Sequence, residues 1–300
     1  MTSDSPALEY GIAPPAFRLP GATRLGRVRL QVADLARSIT YYETVIGLSV
    51  LRRDGSVAML GARGSDEVIV ELHAKPGARR VTRRGQIGLY HFAILLPTRA
   101  ALGRFVRHLA SIGEYAGMSD HLVSEAVYLQ DPDGLGIEVY ADRPRSAWRA
   151  EHNQLAMTTV PLDVNSLVAE AGDEPWTGVP AGTVLGHVHL YVRDLAQAAA
   201  FYHEGLGFDK VVWSYPGALF MSAGGYHHHL GTNTWAAGAP LAADDEARLI
   251  EWEIVVPDAA SARDVAGNLE ARGSSVEREG DDVIARDSWG TRVRVRPGSA

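Results

Sequence analysis

The stretch LGRVRLQVADLARSITYYETVIGL at residues 25–48 recurs as LGHVHLYVRDLAQAAAFYHEGLGF at residues 185–208, without a gap and at an offset of 160 residues. A duplication on this scale indicates that the two halves of the chain are the same structural unit. Each copy begins with alternating apolar residues, which predicts a strand, and then reaches an aspartate such as Asp34 that suits a helix N-cap. The copies differ in chemistry where the first has Arg27 and the second has His187. This difference points to a functional site that only one copy carries.

The composition limits the class of protein. The chain has 300 residues, 46% of them hydrophobic, which is enough for two domains with their own cores. No apolar run approaches the roughly 18 residues that cross a bilayer, so we expect a cytoplasmic protein that does not enter the membrane. Because there is no cysteine, any metal would be held by nitrogen and oxygen. A net charge of −7 argues against a nucleic-acid partner. The alternating Arg292, Arg294 and Arg296 are interpreted as the solvated face of a terminal strand.

The repeat is finer than two, because each half contains two βαβββ-like modules. The four modules begin near residues 25, 90, 185 and 251. Helices are predicted at residues 35–45, 99–112 and about 259–271. The predicted organisation is an N-terminal extension at 1–24, a first domain at 25–142, a connector at 143–183 with one short helix, and a second domain at 184–297.

Histidine and carboxylate recur at equivalent module positions. His91 and His187 occupy the same place on the first strands of the second and third modules, and a tight Asp-Pro-Asp-Gly turn leads to Glu138 inside an apolar strand. Two neutral imidazoles and one carboxylate can hold iron(II) and leave coordination positions open. Burial of Glu138 would be costly unless it were paired or bound to metal. The sequence therefore predicts a metal site at His91, Glu138 and His187. The site requires the second module to pair with the third, because pairing within each half would split the triad.

These modules resemble the vicinal oxygen chelate superfamily, which includes glyoxalases, extradiol dioxygenases and bleomycin-resistance proteins. The resemblance rests on the strand-Asp-Leu-helix-aromatic starts at 32–42 and 192–202 and on the turn that leads to Glu138. It implies an α+β fold in which four βαβββ modules form two domains, with curved mixed sheets around a metal cavity. A narrower resemblance is to the two-domain catechol 2,3-dioxygenase group. It implies that His187, His91 and Glu138 are the metal ligands.

The narrower resemblance also implies catalytic residues. Tyr128 lies ten residues before Glu138 and follows a polar segment that contains His121, as in that group. Both are expected to donate hydrogen bonds to substrate oxygens. An acid–base histidine is expected on the last strand of the third module, where His228 and His229 are the candidates. Side chains alternate along a strand, so only one face of the run 227–229 can look into the site, and the choice stays open.

The resemblance implies an extradiol dioxygenase that opens a catechol-type ring with O2 at a mononuclear Fe(II) site, with Mn(II) in place of iron left open. The expected partners are a small aromatic substrate and O2, without nucleic acid or membrane, and self-association into a homo-oligomer stays open. Two other classes remain. One is a glyoxalase-like metal-dependent isomerase or lyase with a fourth protein ligand, and the other is a metal-free, resistance-type protein that binds an aromatic ligand. Candidate walls for an apolar pocket are Trp213, Tyr215, Phe220 and Trp235.

Overall fold

The structure is a computed structural model, and it describes residues 10–298. The strands of the first two modules are β1 Arg24–Val32, β2 Ser49–Asp54, β3 Val57–Gly61, β4 Val68–Ala74, β5 Gly88–Leu95, β6 Gly117–Asp120, β7 Ser124–Gln130 and β8 Gly136–Asp142. The connector has the short strands β9 Ala150–Glu151 and β10 Gln154–Leu155. The last two modules have β11 Val184–Tyr191, β12 Asp209–Val212, β13 Ala218–Ser222, β14 Leu230–Asn233, β15 Arg248–Val256, β16 Val276–Glu279, β17 Asp282–Arg286 and β18 Arg292–Pro297. The α-helices are α1 Leu35–Tyr41, α2 Arg99–Ile112, α3 Val164–Glu170, α4 Leu195–Ala198 and α5 Ala259–Ala271.

The modules pair across the two halves of the chain. One eight-stranded sheet has the order β12-β13-β14-β11-β5-β8-β7-β6, and the other has the order β16-β17-β18-β15-β1-β4-β3-β2. The first sheet joins the second module to the third, as the predicted metal site requires, and the second sheet joins the first module to the fourth. The predicted α+β fold of four modules is confirmed. Both sheets cross the predicted boundaries of the domains at 25–142 and 184–297, and that division stays a prediction.

The helix of the first module shows why the duplicated stretch folds as it does. The Asp34 side chain accepts a hydrogen bond from the backbone N–H of Arg37 and so caps α1. The helix then widens into a π-helical segment, Tyr42–Ile46, and ends at Gly47 with a φ of 86°. The predicted helix thus has the expected extent, but its first part is α-helical and its second part is π-helical. The third module repeats this arrangement, since α4 continues into the π-helical segment Ala199–Gly205.

The second sheet contains an ion-pair network where the first has its histidines. The strand register makes Glu71 the counterpart of Glu138, because Arg29 lies opposite Glu71 as Ala93 lies opposite Glu138. Arg27 and Glu251 stand in the places of His91 and His187, since Arg29 lies opposite Glu251 as Ala93 lies opposite His187. The side chains at these positions and on the adjoining strands form a network of ion pairs. The pairs are Arg27–Glu71, Arg27–Glu253, Arg29–Glu71, Arg29–Glu251, Arg29–Glu253, Arg292–Glu251, Arg294–Glu251 and Arg296–Glu253.

This network corrects the interpretation of the terminal arginines as a solvated face. Arg294 is buried, and its Nε lies 2.8 Å from a carboxylate oxygen of Glu251. Glu251 lies on β15, which runs parallel to β18, and Arg294 also pairs with Glu279 of β16 and Asp282 of β17. In the part of the chain that the structure describes, no helix is long and apolar enough to cross a membrane.

Candidate metal centre

Three neighbouring strands of the first sheet bring the predicted ligands to one face. Ala93 on β5 lies opposite Glu138 of the parallel strand β8, and it also lies opposite His187 of the antiparallel strand β11. His91 is two residues from Ala93, so it projects from the same face of β5. The small side chain of Ala93 thus lies between the three larger ones, whose ends converge above it.

The three side chains lie within reach of a single ion. Their candidate ligand atoms all lie within 4.8 Å of one another. Glu138 Oε2 is 3.0 Å from Nε2 of His91 and 3.2 Å from Nε2 of His187. Two ligand atoms bound about 2.1 Å from one ion, at right angles around it, are about 3.0 Å apart. All three side chains are buried, with exposed fractions of 5%, 2% and 1% for His91, Glu138 and His187.

Unpaired nitrogens test whether these residues fit a metal. Neither ring nitrogen of His91 makes a hydrogen bond to any residue from 10 to 298, although Nε2 is close to Glu138. Leaving a buried polar atom without a partner costs on the order of 1–3 kcal/mol. A cation held by the triad would give Nε2 of His91 the partner that it lacks. The donor set therefore fits a divalent metal.

The charge states at the centre are those that metal binding needs. Burial by itself raises the pKa of Glu138, but the nearby charge of His187, its hydrogen bond and the charge of His91 outweigh burial and hold the pKa well below its usual range. Burial lowers the pKa of His187 to about 4, against the opposing effect of Glu138. Ligands must be deprotonated to bind metal. Glu138 is accordingly ionised and His187 neutral at pH 7.

The triad opens into a cavity of about 810 Å³. The predicted residues Tyr128, His121 and His228 line this cavity together with the triad. Its aromatic lining includes Tyr90, Tyr191, Tyr215, Phe220 and Trp235. Of the four predicted wall residues, Trp213 is the exception, since it packs against the main hydrophobic core.

Tyr128 and His121 form a hydrogen-bonded pair at the cavity wall. The Tyr128 hydroxyl is 2.6 Å from His121 Nε2, and His121 Nδ1 is 2.9 Å from the carbonyl oxygen of Thr158. Because a carbonyl only accepts, Nδ1 of His121 carries a ring proton, and in that tautomer the tyrosine donates to Nε2. Burial, with the nearby charge of Glu138, raises the pKa of Tyr128 well above its usual value. Tyr128 is therefore a protonated phenol.

The histidine run corrects one sequence expectation. Residues 227–229 lie in the connection before β14, not on a strand. Of the three, only His228 lines the cavity, and its ring centroid is 4.1 Å from that of His187. His229 lies outside the cavity, where its Nδ1 accepts a hydrogen bond of 3.2 Å from the backbone N–H of Ala223. The structure thus brings His228 to the triad and leaves His229 away from it.

Sequence reasoning missed His189 as a site residue. It lines the cavity, and its ring centroid is 5.0 Å from that of His91. Asn233 donates to His189 Nε2 over 2.9 Å, and the Asn233 amide is oriented because its oxygen accepts from the backbone N–H of Trp235. The spacing of His187 and His189 on one strand was the available signal, since residues two apart share a face.

The fold and this centre define a class of protein. The chain belongs to the Glyoxalase/Bleomycin resistance protein/Dioxygenase superfamily, whose family model matches residues 24–139 and 184–282. The chain is 44% identical over 269 residues to a protein of Bacillus subtilis (strain 168) named catechol-2,3-dioxygenase, with 88% of this chain and 94% of that protein covered.

Solved structures share the fold. A putative dioxygenase from Bacillus subtilis subsp. subtilis str. 168 has a TM-score of 0.65 at 13% identity, with 95% of this chain and 87% of that chain covered. Glyoxalase I from Zea mays has a TM-score of 0.56 at 21% identity, with 91% and 92% covered. At these identities the likeness concerns the fold alone.

Proposed function

We propose that the protein is an extradiol ring-cleaving dioxygenase, which opens a catechol-type aromatic diol with O2 at a mononuclear Fe(II) site. The observation that carries the proposal is the buried convergence of His91, Glu138 and His187 at the base of an aromatic cavity. The relative at 44% identity, named catechol-2,3-dioxygenase, supports the same reaction class.

The triad would supply two imidazole nitrogens and one carboxylate oxygen to the metal. Bound there, iron(II) would hold the two diol oxygens and O2 side by side in one oriented complex. Mn(II) accepts the same nitrogen and oxygen ligands, so it is the second choice. The cytoplasmic location expected from the sequence belongs to this proposal as well.

The chain's own residues would handle the protons. Burial, together with the other histidines of the site, lowers the pKa of His228 well below its usual value, so its ring is neutral and able to accept a proton from a diol hydroxyl. Tyr128 keeps its proton, and its bond to His121 holds the hydroxyl at the cavity wall, within reach of a substrate oxygen. His229, the other candidate base, does not line the cavity, and its Nδ1 is used by the backbone N–H of Ala223.

The aromatic wall would bind the ring and exclude water. Tyr90 stands at the centre of this wall, with ring centroids 4.8 Å from Tyr191 and 5.7 Å from Trp235. Aromatic side chains bury large apolar areas and pack edge to face against another ring. A flat aromatic substrate fits such a wall, and its two oxygens would then point toward the triad.

The test is oxygen uptake by anaerobically iron(II)-loaded protein that is given catechol and simple substituted catechols. We expect uptake matched to a yellow ring-opened product. Glu138→Gln should lose both bound iron and uptake, whereas Glu71→Gln, its counterpart in the other sheet, should retain both. Bound iron at one per chain without uptake on the whole series would refute the proposal. Methylglyoxal–thiol isomerisation in place of uptake would favour the glyoxalase-like class.

A further inference from the structure

A line of hydrogen bonds runs from a partly exposed carboxylate to the cavity. Oδ1 of Asp142 is 2.8 Å from Nε2 of His227, and Nδ1 of His227 is 2.8 Å from Nδ1 of His228. The Asp142 side chain is 29% exposed, whereas that of His227 is fully buried. His227 is not among the residues that line the cavity, and its hydrogen bond joins it to His228, which lines it.

We infer that Asp142 and His227 are positioning residues that fix His228 in the tautomer with a protonated Nδ1 and a free Nε2. This inference rests on the proposed function, because His228 is the base of that reaction. It assigns a role to two side chains that do not line the substrate cavity.

The tautomers follow from what each atom can donate. A carboxylate oxygen only accepts, so Nε2 of His227 carries the ring proton and donates it to Asp142. A His227 ring with that one proton presents an unprotonated Nδ1. Since two lone pairs cannot bond to each other, Nδ1 of His228 must carry the proton and donate it. The remaining nitrogen of His228, Nε2, holds a lone pair.

The free nitrogen belongs to a ring that faces the site. His228 lines the cavity, and its ring contacts those of His187 and Phe220, with centroids 4.1 and 5.0 Å away. The bond to His227 uses Nδ1 of His228. Nε2 of His228 makes no hydrogen bond to any residue from 10 to 298. A base needs an unprotonated nitrogen toward the substrate, and the opposite tautomer would present an N–H instead.

Asp142 is itself held in place. It ends β8, four residues after Glu138, so both side chains project from the same face of one strand. The Tyr226 hydroxyl donates to the same Oδ1 over 3.1 Å, and the Tyr226 and Tyr140 hydroxyls are 2.7 Å apart. This second bond gives a matched control, because removing the Tyr226 hydroxyl leaves the bond between Asp142 and His227 intact.

The decisive measurement is the tautomer of His228 by long-range ¹⁵N–¹H NMR of histidine-labelled protein. Zinc would be loaded as a diamagnetic occupant of the triad, and the loss of signals in His228→Gln would assign the ring. We expect protonated Nδ1 in the wild type and in Tyr226→Phe. In Asp142→Ala the single tautomer should give way to a mixture, because His227 is then free to donate through Nδ1. Protonated Nε2 on His228 in the wild type would overturn the inference, even if Asp142→Ala failed to fold.

Kinetics of the iron-loaded enzyme give a second readout. Asp142→Ala should lower kcat by about 3- to 10-fold with KM nearly unchanged, because kcat falls in proportion to the fraction of His228 that keeps the active tautomer. Tyr226→Phe should change kcat by less than about 2-fold, because the base keeps its tautomer. Equal losses in both variants would contradict the assigned role. The tautomer is measured without turnover, so failure of this inference and failure of the proposed reaction are distinguishable.

Discussion

Asp131 offers a stability test with a defined sign. Its side chain is 1% exposed, and its Oδ1 accepts hydrogen bonds from the backbone N–H groups of Asp133 and Leu135 at 2.9 and 2.8 Å. The Tyr42 hydroxyl lies 3.3 Å from Oδ2. Burial raises the pKa of Asp131 from 3.8 to about 7, an effect only partly offset by the two backbone bonds. The turn that leads to Glu138 thus contains a carboxyl group that is costly to ionise.

The sign follows from proton linkage. Between pH 4 and pH 7 the folded protein keeps this proton while the unfolded chain loses it, so the free energy of unfolding falls as the pH rises and levels off above pH 7. At about 1.36 kcal/mol per pH unit, the contribution lost by pH 8 is at most about 4 kcal/mol, of which roughly 2–3 kcal/mol is lost above pH 5. Asn at this position stays neutral at every pH, and its amide oxygen can accept the same two backbone bonds.

Asp131→Asn should therefore have a higher free energy of unfolding than the wild type at pH 8. The difference between the two proteins should be roughly 2–3 kcal/mol larger at pH 8 than at pH 5. Urea unfolding of both proteins at the two pH values measures this difference. Asp258→Asn serves as the control, since that exposed carboxyl has a lowered pKa, through its bonds to Ser261, and should show no change between pH 5 and pH 8. An advantage that is equal at both pH values, or smaller at pH 8, would refute the reasoning.

Two further predictions concern the two sheets. Gly231→Ala places a Cβ 2.8 Å from Cγ of His189, so the ring must move. The value of kcat/KM for catechol should then fall about 10- to 100-fold with bound metal unchanged. Gly267→Ala, whose Cβ meets no atom within 4 Å, is the control, and an equal effect in both variants would show that the His189 contact is irrelevant. Arg29→Met leaves Glu251 and Glu253 with one cation fewer and should lower the free energy of unfolding by about 3 kcal/mol in urea titrations, whereas metal content stays the same. Loss of metal in Arg29→Met would contradict a purely structural role for that network.

The duplication made much of the site predictable. Because His91 and His187 each lie seven residues before the predicted end of their strand, their equivalence could be read from residue numbers, and the period of two along a strand then set their faces. Tyr128 was predicted from the family resemblance, which implies a tyrosine ten residues before the glutamate. Local patterns of this kind predict which residues share a face.

Contacts between distant strands were not predictable in the same way. Nothing near Arg294 in the sequence shows that its partner is Glu251, 43 residues earlier, so the alternation was taken for a solvated face. The histidine run was assigned to a strand because the family resemblance implies a histidine on the last strand of that module, yet the chain turns there before β14 begins at Leu230. His189 was overlooked because its bond to Asn233 joins residues 44 apart.

The pairing of β5 with β11 has a consequence for synthesis of the protein on the ribosome. His91 and Glu138 are both made in the first half, but His187 follows 96 residues after His91, on the strand that completes the site. A nascent first half has two of the three ligands and a sheet that still lacks its partner strands. The set of three ligands is therefore completed late, after the second half has emerged.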